Sequence, residues 1–554
     1  MVATAKMPHF EGKVLPPLKD VYKGKSVLIT GASGFLGKVL VEKLLYSMND
    51  VANIFVIIRS SKGVAPAERW CKITQNVLFD RVRNRFPERL NKVVVLEGDL
   101  EQPNLDLSDA DQQRIFEEVN IVFHCAATVK FDENLRDAIS MNVIGTVGLI
   151  AICKKIKNLK VLVHCSTAYA NCELARTQEK VYKSQIEPRK ILDAMEWMND
   201  SMVDAITPSL LETRPNTYTF TKALAENQLL DDAKGLPVII FRPSIVTAMW
   251  KDQLPGWIDN MNGPTGLLTA VGKGVLTNMC GDVRSKADLI PVDVVSNMMI
   301  ACASYRMNIK TDEVPVVHCT SGVLNPLEWD FVVTFLEQMY HEHPMEQCFG
   351  VVSTYFHRSR LMFELNHRFK HELPAKLADW GCKLTGQRAI YSRLYGKVRI
   401  MVHTLEFFTT RGWTFESDNL VRLWDIMQPA DKAEFNFDIR QLDWGSYLFD
   451  YVMGVKKYIT NEKIGDQKAL AAAKSNHRNR QRMRFLTRIL LCYLFARMAS
   501  GNVTKSSHFF LYFVAAFLTS QYYSSLNYRP VHRLKSLSDY LAQQKTDSAV
   551  IFDC

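Results

Sequence analysis

Short continuous apolar runs alternate with amphipathic stretches over the first 330 residues of the chain. The runs are as long and as uniformly apolar as strands that are covered on both faces of a parallel sheet. The stretches between them carry apolar residues at helical spacing, so the pattern predicts a doubly wound parallel α/β sheet. The predicted strands are residues 27–29, 53–58, 92–96, 119–127, 160–164, 238–241 and 314–318.

The pattern changes after about residue 325, where long helical periodicities replace the strand runs. Residues 345–465 hold Leu, Phe, Tyr and Trp at helical spacing with basic residues between them, which predicts a second, mainly helical domain. The predicted organisation is an N-terminal segment (1–20), an α/β domain (21–330), the helical domain (345–465) and a tail (474–554).

The tail combines a basic cluster with an uncharged apolar stretch of eighteen residues, 509–526. A membrane span needs about 20 mainly apolar residues, and the second half of this stretch is polar. We therefore expect one transmembrane or deeply inserted segment, with a basic amphipathic helix on the membrane surface or a buried helix of a soluble domain as alternatives. The basic cluster outweighs the positive charges that follow the stretch, so the α/β domain is expected to face the cytosol. The cluster comprises Lys474, Arg478, Arg480, Arg482, Arg484 and Arg488.

Composition narrows the functional class. The chain has 554 residues, is 47% hydrophobic and carries a net charge of +10, much of it in the tail cluster. No aromatic and basic binding platform accompanies that charge, so we expect no nucleic-acid partner. The twelve cysteines are scattered without Cys-x-x-Cys or paired His/Cys metal spacing, which predicts reduced thiols and no metal.

A glycine-rich turn joins the first predicted strand to a helix. Thr30-Gly31-Ala32-Ser33-Gly34-Phe35-Leu36-Gly37 follows the strand directly, as in the dinucleotide-binding units of Rossmann-type sheets. Gly31 permits the turn, Gly34 lets the backbone approach the phosphates, and Gly37 lets the helix pack on the strand. The pyrophosphate is then expected at the helix N-terminus.

The second strand ends in Arg59 rather than in an acidic residue. A carboxylate there binds a ribose 2′-hydroxyl, whereas an arginine offers a fork to a 2′-phosphate. Lys62 lies close in sequence, so we expect NADPH rather than NADH, although Arg59 can also be a surface residue that caps its strand. Asp99 follows the third strand, where such folds contact the adenine, and Ala126 belongs to the small residues that leave room for the cofactor.

Tyr218 and Lys222 stand four positions apart, which places both on one face of a helix. A nearby ammonium stabilises a phenolate, so the pKa of Tyr218 is expected to fall toward neutrality. The strand 160–164 runs into Ser166 and Thr167, whose hydroxyls are expected at the ligand-binding edge of the sheet. Asn142 either extends a proton relay through water or makes a helix–sheet hydrogen bond.

Two further residues in these strands have a chemical and a structural interpretation. His124 is more readily explained as a packed strand residue than as a catalytic one. Cys165, beside the two hydroxyls, suggests an acyl thioester, but a buried strand cysteine explains it more simply. Residues 250–274 are rich in Gly, Pro and Trp and are expected to cover the substrate cleft.

These motifs resemble the extended short-chain dehydrogenase/reductases and, more narrowly, the alcohol-forming fatty acyl-CoA reductases, which are similar to plant male-sterility proteins. The superfamily's Ser/Thr, Tyr and Lys fall on Thr167 (with Ser166 as its rival), Tyr218 and Lys222. The narrower resemblance rests on Asp288-Leu289-Ile290-Pro291-Val292-Asp293 and on Phe407-Phe408-Thr409-Thr410 with Trp413, and it covers nearly all of residues 20–460.

The resemblance implies reduction of a long-chain fatty acyl-CoA to a primary alcohol by NADPH through a bound aldehyde. It also implies a peroxisomal membrane location, with the endoplasmic reticulum as the alternative. A membrane-bound 3β-hydroxysteroid dehydrogenase and a non-catalytic NADPH-binding scaffold remain as rival functions. The expected cofactor contacts are Thr30, Gly31, Ser33, Gly34, Phe35, Leu36, Gly37, Arg59, Lys62, Asp99, Leu100, Ala126, Asn142, Tyr218, Lys222 and Pro243.

Overall fold

The computed structural model describes residues 14–61, 63–500, 506–525 and 532–549. Its strands, in chain order, are β1 (Ser26–Thr30), β2 (Ile54–Ile58), β3 (Val93–Glu97), β4 (Val119–His124), β5 (Val161–Cys165), β6 (Arg176–Thr177), β7 (Val238–Pro243), β8 (Ile245–Thr247), β9 (Asn278–Cys280), β10 (Leu289–Pro291), β11 (Val316–Cys319), β12 (Tyr355–His357) and β13 (Thr414–Phe415).

The helices of the α/β part are α1 (Leu18–Tyr22), α2 (Phe35–Ser47), α3 (Pro66–Thr74), α4 (Asp80–Arg85), α5 (Asp109–Glu118), α6 (Leu135–Ile139), α7 (Gly145–Cys153), α8 (Pro188–Trp197), α9 (Asp200–Leu211), α10 (Thr217–Asp232), α11 (Pro264–Gly272) and α12 (Val292–Asn308). Those that follow are α13 (Trp329–Glu342), α14 (Arg360–His367), α15 (Leu373–Leu384), α16 (Tyr391–Thr410), α17 (Asp418–Asp425), α18 (Pro429–Glu434), α19 (Trp444–Gly454), α20 (Gln467–Ser500), α21 (Ser506–Ser525) and α22 (Leu537–Ala549).

A seven-stranded parallel sheet organises the described residues, in the order β11-β7-β5-β4-β1-β2-β3. Alternate side chains of each strand enter opposite cores, because successive residues of a strand point to opposite faces. Val27 and Ile29 pack with α2 and α12, whereas Leu28 packs with α5 and α7 on the other face. The predicted doubly wound sheet is confirmed, and the order of strands changes direction between β1 and β4.

The region after α12 is mainly helical, as the sequence predicts, and it packs directly on the sheet domain. One continuous core contains both β-strand residues and aromatic residues of α19 such as Tyr447 and Tyr451. The short strand β13 pairs with β6, and the Glu179 carboxylate accepts N–H bonds from His318 and Asn419, both at 2.8 Å. These contacts hold the segment after α16 against the edge of the sheet.

The N-terminal helix α1 also joins the two parts. The Leu15 N–H donates to the Ile426 carbonyl at 2.7 Å, and the Leu18 N–H donates to the Asp431 carboxylate at 3.0 Å. The Tyr22 hydroxyl donates to the Ile300 carbonyl of α12 at 3.0 Å. This helix therefore fixes α12 relative to α17 and α18.

Candidate active site

The glycine turn lies at the carboxyl end of β1. Gly31 has φ +75°, and a Cβ there would lie 2.7 Å from the Ala126 nitrogen. A Cβ on Gly37 would lie 2.2 Å from the Gly31 carbonyl oxygen. Only glycine fits at either position, so the helix α2 can begin directly against the turn. The N–H groups of its first turn have no partner within the helix, and this cradle fits a pyrophosphate.

The side chain of Thr30 links strands rather than lining open space. Its hydroxyl bonds to His124 Nδ1 at 2.7 Å and accepts a bond from the Ala126 N–H at 3.3 Å. His124 Nε2 bonds in turn to the Thr146 hydroxyl at 3.0 Å. Burial, reinforced by Lys222, lowers the pKa of His124 to about 3. His124 is thus a neutral packing residue, which agrees with the structural interpretation of its sequence position.

Residues 250–274 approach the cofactor turn at the start of α2. Trp257 is fully buried and stacks on Phe35 with 5.6 Å between ring centroids. Lys38 forms an ion pair with Asp259, and a Cβ on Gly256 would lie 2.0 Å from the Asp450 carbonyl of α19. The segment is therefore a packed wall beside Phe35, while Ser33 and Leu36 remain half-buried and Gly34 exposed.

At the end of β2, Arg59 is more than half exposed. Its guanidinium lies 3.4 Å from Glu101 and 4.0 Å from Asp99, so it is held loosely beside the third strand. Asp99 accepts a bond from the Glu101 N–H at 3.2 Å, and Leu100 is buried against Gly145. The predicted contact Lys62 lies outside the described residues.

Tyr218 occupies the first turn of α10, whose N-cap Asn216 accepts a bond from the Thr219 N–H at 2.9 Å. The Thr167 hydroxyl accepts a bond from the Tyr169 N–H at 3.2 Å and donates to the Pro243 carbonyl at 3.5 Å, and it lies close enough to the Tyr218 hydroxyl to lower the pKa of that phenol. Ser166, although adjacent, is buried with a hydroxyl that has no hydrogen-bond partner among the described residues. The structure thus brings Thr167, Pro243 and Tyr218 together.

The pKa of Tyr218 shifts in the opposite direction to the sequence-based expectation. Burial raises it well above 10.0, and the nearby Thr167 hydroxyl offsets only part of that effect. The Lys222 ammonium donates instead to the Cys165 carbonyl at 2.8 Å, and burial lowers the pKa of Lys222. The phenol therefore keeps its proton at neutral pH, which suits a proton donor.

Asn142 makes the structural contacts that its sequence position allows. It lies on the π-turn Ser140–Ile144, where its Oδ1 accepts a bond from the Thr128 N–H at 2.9 Å. Its Nδ2 donates to the Thr221 hydroxyl at 2.9 Å. Asn142 thereby holds α10, next to Lys222, against the loop that follows β4.

An aromatic cluster covers Tyr218, and the sequence did not single it out as part of the site. Phe131 lies 5.9 Å from the Tyr218 ring and stacks on Phe408 at 5.4 Å. Tyr169 contacts Phe408 and Trp413 edge-on at 5.3 Å each. Phe131, backed by Phe408 of the last turn of α16, therefore forms a roof over Tyr218. Its only sequence signal is the Phe-Phe-Thr-Thr motif, whose distance from Tyr218 along the chain conceals the contact.

Comparisons with known proteins agree with this site. Sequence models of a family described as male sterility proteins match residues 29–299, the NAD-binding part, and residues 370–462. A Rattus norvegicus protein named fatty acyl-CoA reductase 1 is 40% identical over 496 residues, covering 89% of this chain and 96% of its own. A Bos taurus protein named fatty acyl-CoA reductase 2 is 36% identical, covering 88% and 95%.

Among solved structures, the reductase domain of a nonribosomal peptide synthetase from Mycobacterium tuberculosis superposes with a TM-score of 0.52 at 18% identity. The match covers 83% of this chain and 94% of that one and shows a shared fold. Fold and site together define a Rossmann-type oxidoreductase that uses a nicotinamide cofactor. The chain belongs to the fatty acyl-CoA reductase family of male-sterility-type proteins.

Proposed function

We propose that the protein reduces long-chain fatty acyl-CoA to a primary fatty alcohol and free coenzyme A with NADPH. The observation that carries the proposal is the placement of Thr167 beside Tyr218, one helical turn from Lys222, at the sheet edge that holds the glycine cradle. The family of the chain supports an acyl thioester as the substrate. That family also disfavours the 3β-hydroxysteroid dehydrogenase and the non-catalytic scaffold.

A nicotinamide cofactor held by the glycine cradle would supply hydride to the carbonyl carbon. Thr167 is the better of the two hydroxyls to orient the substrate oxygen, because it lies beside Tyr218, whereas the Ser166 hydroxyl is buried with no hydrogen-bond partner among the described residues. Tyr218 gives its phenolic proton to the oxygen that becomes negative, an acidic role that its raised pKa supports. Lys222 has two further N–H groups beyond the one used by Cys165, and these can hold ribose hydroxyls.

Two reductions are needed because the oxidation level of a thioester carbon is two hydride equivalents higher than that of the carbon in a primary alcohol. In the first, hydride adds to the thioester carbon, Tyr218 protonates the oxygen, and the carbon–sulfur bond then breaks so that coenzyme A leaves as the thiol with that proton and an aldehyde remains. In the second, Tyr218 protonates the alkoxide formed from that aldehyde. The roof formed by Phe131 and Phe408 is expected to exclude water and keep the aldehyde bound between the two steps.

NADPH is the proposed form of the cofactor. Arg59 is exposed at the end of β2, and its guanidinium can form a bidentate hydrogen bond with a 2′-phosphate. Its loose contacts with Asp99 and Glu101 are surface ion pairs of small energy, so a phosphate can replace them.

We also propose attachment to a membrane through the tail, with the catalytic domain in the cytosol and the peroxisome as the organelle. In the described residues, the one helix long and apolar enough to cross a membrane is Leu135–Cys153. That helix carries Asn142 and covers the sheet, so we assign it to the protein core. The proposed attachment rests instead on α21, whose apolar part is His508–Thr519.

The test is product analysis with purified full-length protein, NADPH and palmitoyl-CoA. Hexadecanol and free coenzyme A are expected from the wild type, and about a hundredfold less or lower still from Tyr218→Phe. A tyrosine far from the site, Tyr46→Phe, is the matched control and should leave the yield unchanged. Turnover of a 3β-hydroxysteroid without any acyl-CoA reduction would contradict the proposal, and so would full activity of Tyr218→Phe.

A further inference from the structure

Residues 360–384 form one helical segment, in which the π-turn Arg368–Glu372 joins α14 to α15. The face of this segment that packs on the protein consists of Phe363, His367, His371, Ala375 and Asp379, all buried. His371 bonds to the Thr277 hydroxyl at 2.7 Å, and Asp379 accepts bonds from the first N–H groups of α16. The inward face of the segment is thus largely polar.

The opposite face of the same segment is apolar and exposed. Phe369, Leu377 and Trp380 are 61–65% exposed. A helix on the surface of a water-soluble domain normally turns its apolar stripe inward, and this one has the reverse arrangement. We call this set the outer apolar face: Leu361, Leu365, Phe369, Leu373, Leu377, Trp380 and Leu384.

The π-turn keeps the outer apolar face in line. Its members recur at every fourth residue with one step of three, whereas a regular α-helix repeats about every 3.6 residues. Such spacing drifts around a regular helix by about 140° over the segment, and the extra residue of a π-turn removes about 100° of that drift. Sequence and backbone therefore agree in presenting one straight apolar stripe to the outside.

The charge around the outer apolar face is strongly positive. Residues 358–400 contain ten Lys and Arg but three Asp and Glu. Glu364 and Glu372 pair with Arg399 and Lys376, and Asp379 caps α16, so no carboxylate is left over. Within the described part of the chain, the residues without an ion pair include Arg368, Lys383, Arg388, Arg393 and Lys397. Apolar side chains ringed by unpaired cations match an anionic phospholipid surface.

The tail continues this surface. α20 and α21 pack as an antiparallel hairpin, with Tyr493 5.5 Å from Phe509 and Phe485 6.0 Å from Phe517. The outer side of the hairpin exposes further apolar residues, such as Phe510 and Met498. Burial lowers the pKa of Lys370, and Arg484 and Arg488 of α20 lie close enough to lower it further.

After the hairpin the chain returns to the protein. His532 donates its N–H to Gln338 at 3.0 Å, and Lys535 pairs with Asp450 of α19 at 2.9 Å. Tyr540 of α22 is fully buried. The segments before and after the hairpin therefore both lie against the same body, which a single span through a bilayer does not allow.

We propose that the outer apolar face and the α20–α21 hairpin together dock on one leaflet of an anionic phospholipid membrane, with both ends of the hairpin on the catalytic domain's side. This extends the tail attachment proposed above with a second contact and a defined topology. α16 then runs from Tyr391, whose N–H donates to Asp379 of the membrane-facing helix, to Phe408, which stacks on Phe131 beside Tyr218.

The test places a photoreactive benzoylphenylalanine at single positions of the full-length protein. Phe369 and Trp380 report on the outer apolar face, Phe510 reports on the hairpin, and Trp197, 68% exposed on α8, is the matched control. The protein is bound to vesicles of phosphatidylcholine with a minority of phosphatidylserine and then irradiated. Lipid adducts at Phe369 and Trp380 should exceed those at Trp197 by about tenfold or more.

Adducts at Phe510 but only background at Phe369 and Trp380 would overturn the docking of the outer face and leave the tail attachment intact. Adducts to a second copy of the chain at Phe369 would show a protein interface and also overturn it.

A protease-cleavable tag after Cys554 tests the topology. Its removal by protease added outside the vesicles is expected, and its protection inside them would contradict the one-leaflet arrangement. None of these readouts depends on activity.

Discussion

The helix α10, which carries Tyr218 and Lys222, and the segment 360–384 break the usual rule for helix burial in opposite ways. α10 buries charged residues, including Lys222 and Glu226, in a protein interior where each has partners. The segment 360–384 exposes Phe369 and Trp380 while it buries His367 and Asp379. Buried charge in α10 is explained by chemistry inside the protein, whereas exposed apolar surface requires an apolar phase outside it.

Of the changes predicted for α10 and for the segment 360–384, removal of the proton donor on α10 should have the largest effect on activity. Tyr218→Phe is expected to lower kcat/KM for acyl-CoA by about 10²–10⁴, because general acid catalysis contributes that much. Binding of NADPH, measured by fluorescence titration, should change little. Retained activity would show that the proton comes from another group.

Thr167→Ala should have the next largest effect, about 10²-fold in kcat, since it removes a positioned hydroxyl beside the reacting oxygen. Ser166→Ala is the matched control, and a change of less than about threefold is expected because its hydroxyl has no hydrogen-bond partner in the described part of the chain. The reverse ranking in steady-state kinetics would assign the catalytic hydroxyl to Ser166.

Arg59→Ala tests the cofactor preference with a smaller effect. The KM for NADPH should rise by about tenfold or more, which corresponds to loss of a charged hydrogen bond to the 2′-phosphate. The KM for NADH should stay the same within error, since that cofactor lacks the phosphate. Equal changes for both cofactors would make Arg59 a structural residue.

The outer apolar face gives the smallest predicted effect on stability. Leu377→Ser should change the free energy of unfolding by less than about 0.5 kcal/mol in denaturant titrations, because the side chain is exposed in water. Phe363→Ala, on the buried face of the same segment, should cost about 3–5 kcal/mol. A large loss for Leu377→Ser would mean that this face is covered by protein.

The raised pKa of Tyr218 predicts that acyl-CoA reduction does not decline with pH near neutrality. A general acid loses activity as pH rises through its pKa, and this phenol titrates above 10.0. The value of kcat/KM for acyl-CoA should stay constant from about pH 7 to about pH 9. A decline centred near neutrality would show that the ammonium of Lys222 lowers the pKa after all.

Local patterns in the sequence were sufficient to predict the sheet and the glycine turn. Continuous apolar runs and the spacing of Gly31, Gly34 and Gly37 depend on residues close together in the chain, and the structure confirms the fold they predict. The pKa of Tyr218 could not be predicted in the same way, because the aromatic roof that buries it comes from residues far along the chain. For the same reason the sequence left Thr167 and Ser166 undecided.

A second limit is that sequence analysis does not show which face of an amphipathic helix points into the protein. Periodicity between residues 361 and 384 predicts a helix with an apolar stripe, and the natural interpretation places that stripe in the core. Nothing in the spacing reveals that His371 and Asp379 have hydrogen-bond partners in the protein while Phe369 and Trp380 stay exposed. The tail was similarly predicted as one inserted segment, and its pairing as a hairpin depends on contacts between α20 and α21.

The central claim is that a single site carries out both reductions of a thioester. The most direct test measures NADPH oxidised and coenzyme A released by the purified full-length protein acting on palmitoyl-CoA, together with the lipid product. Two NADPH for each coenzyme A, with hexadecanol as the product, is the predicted result. One NADPH for each coenzyme A with free hexadecanal as the product would contradict the claim.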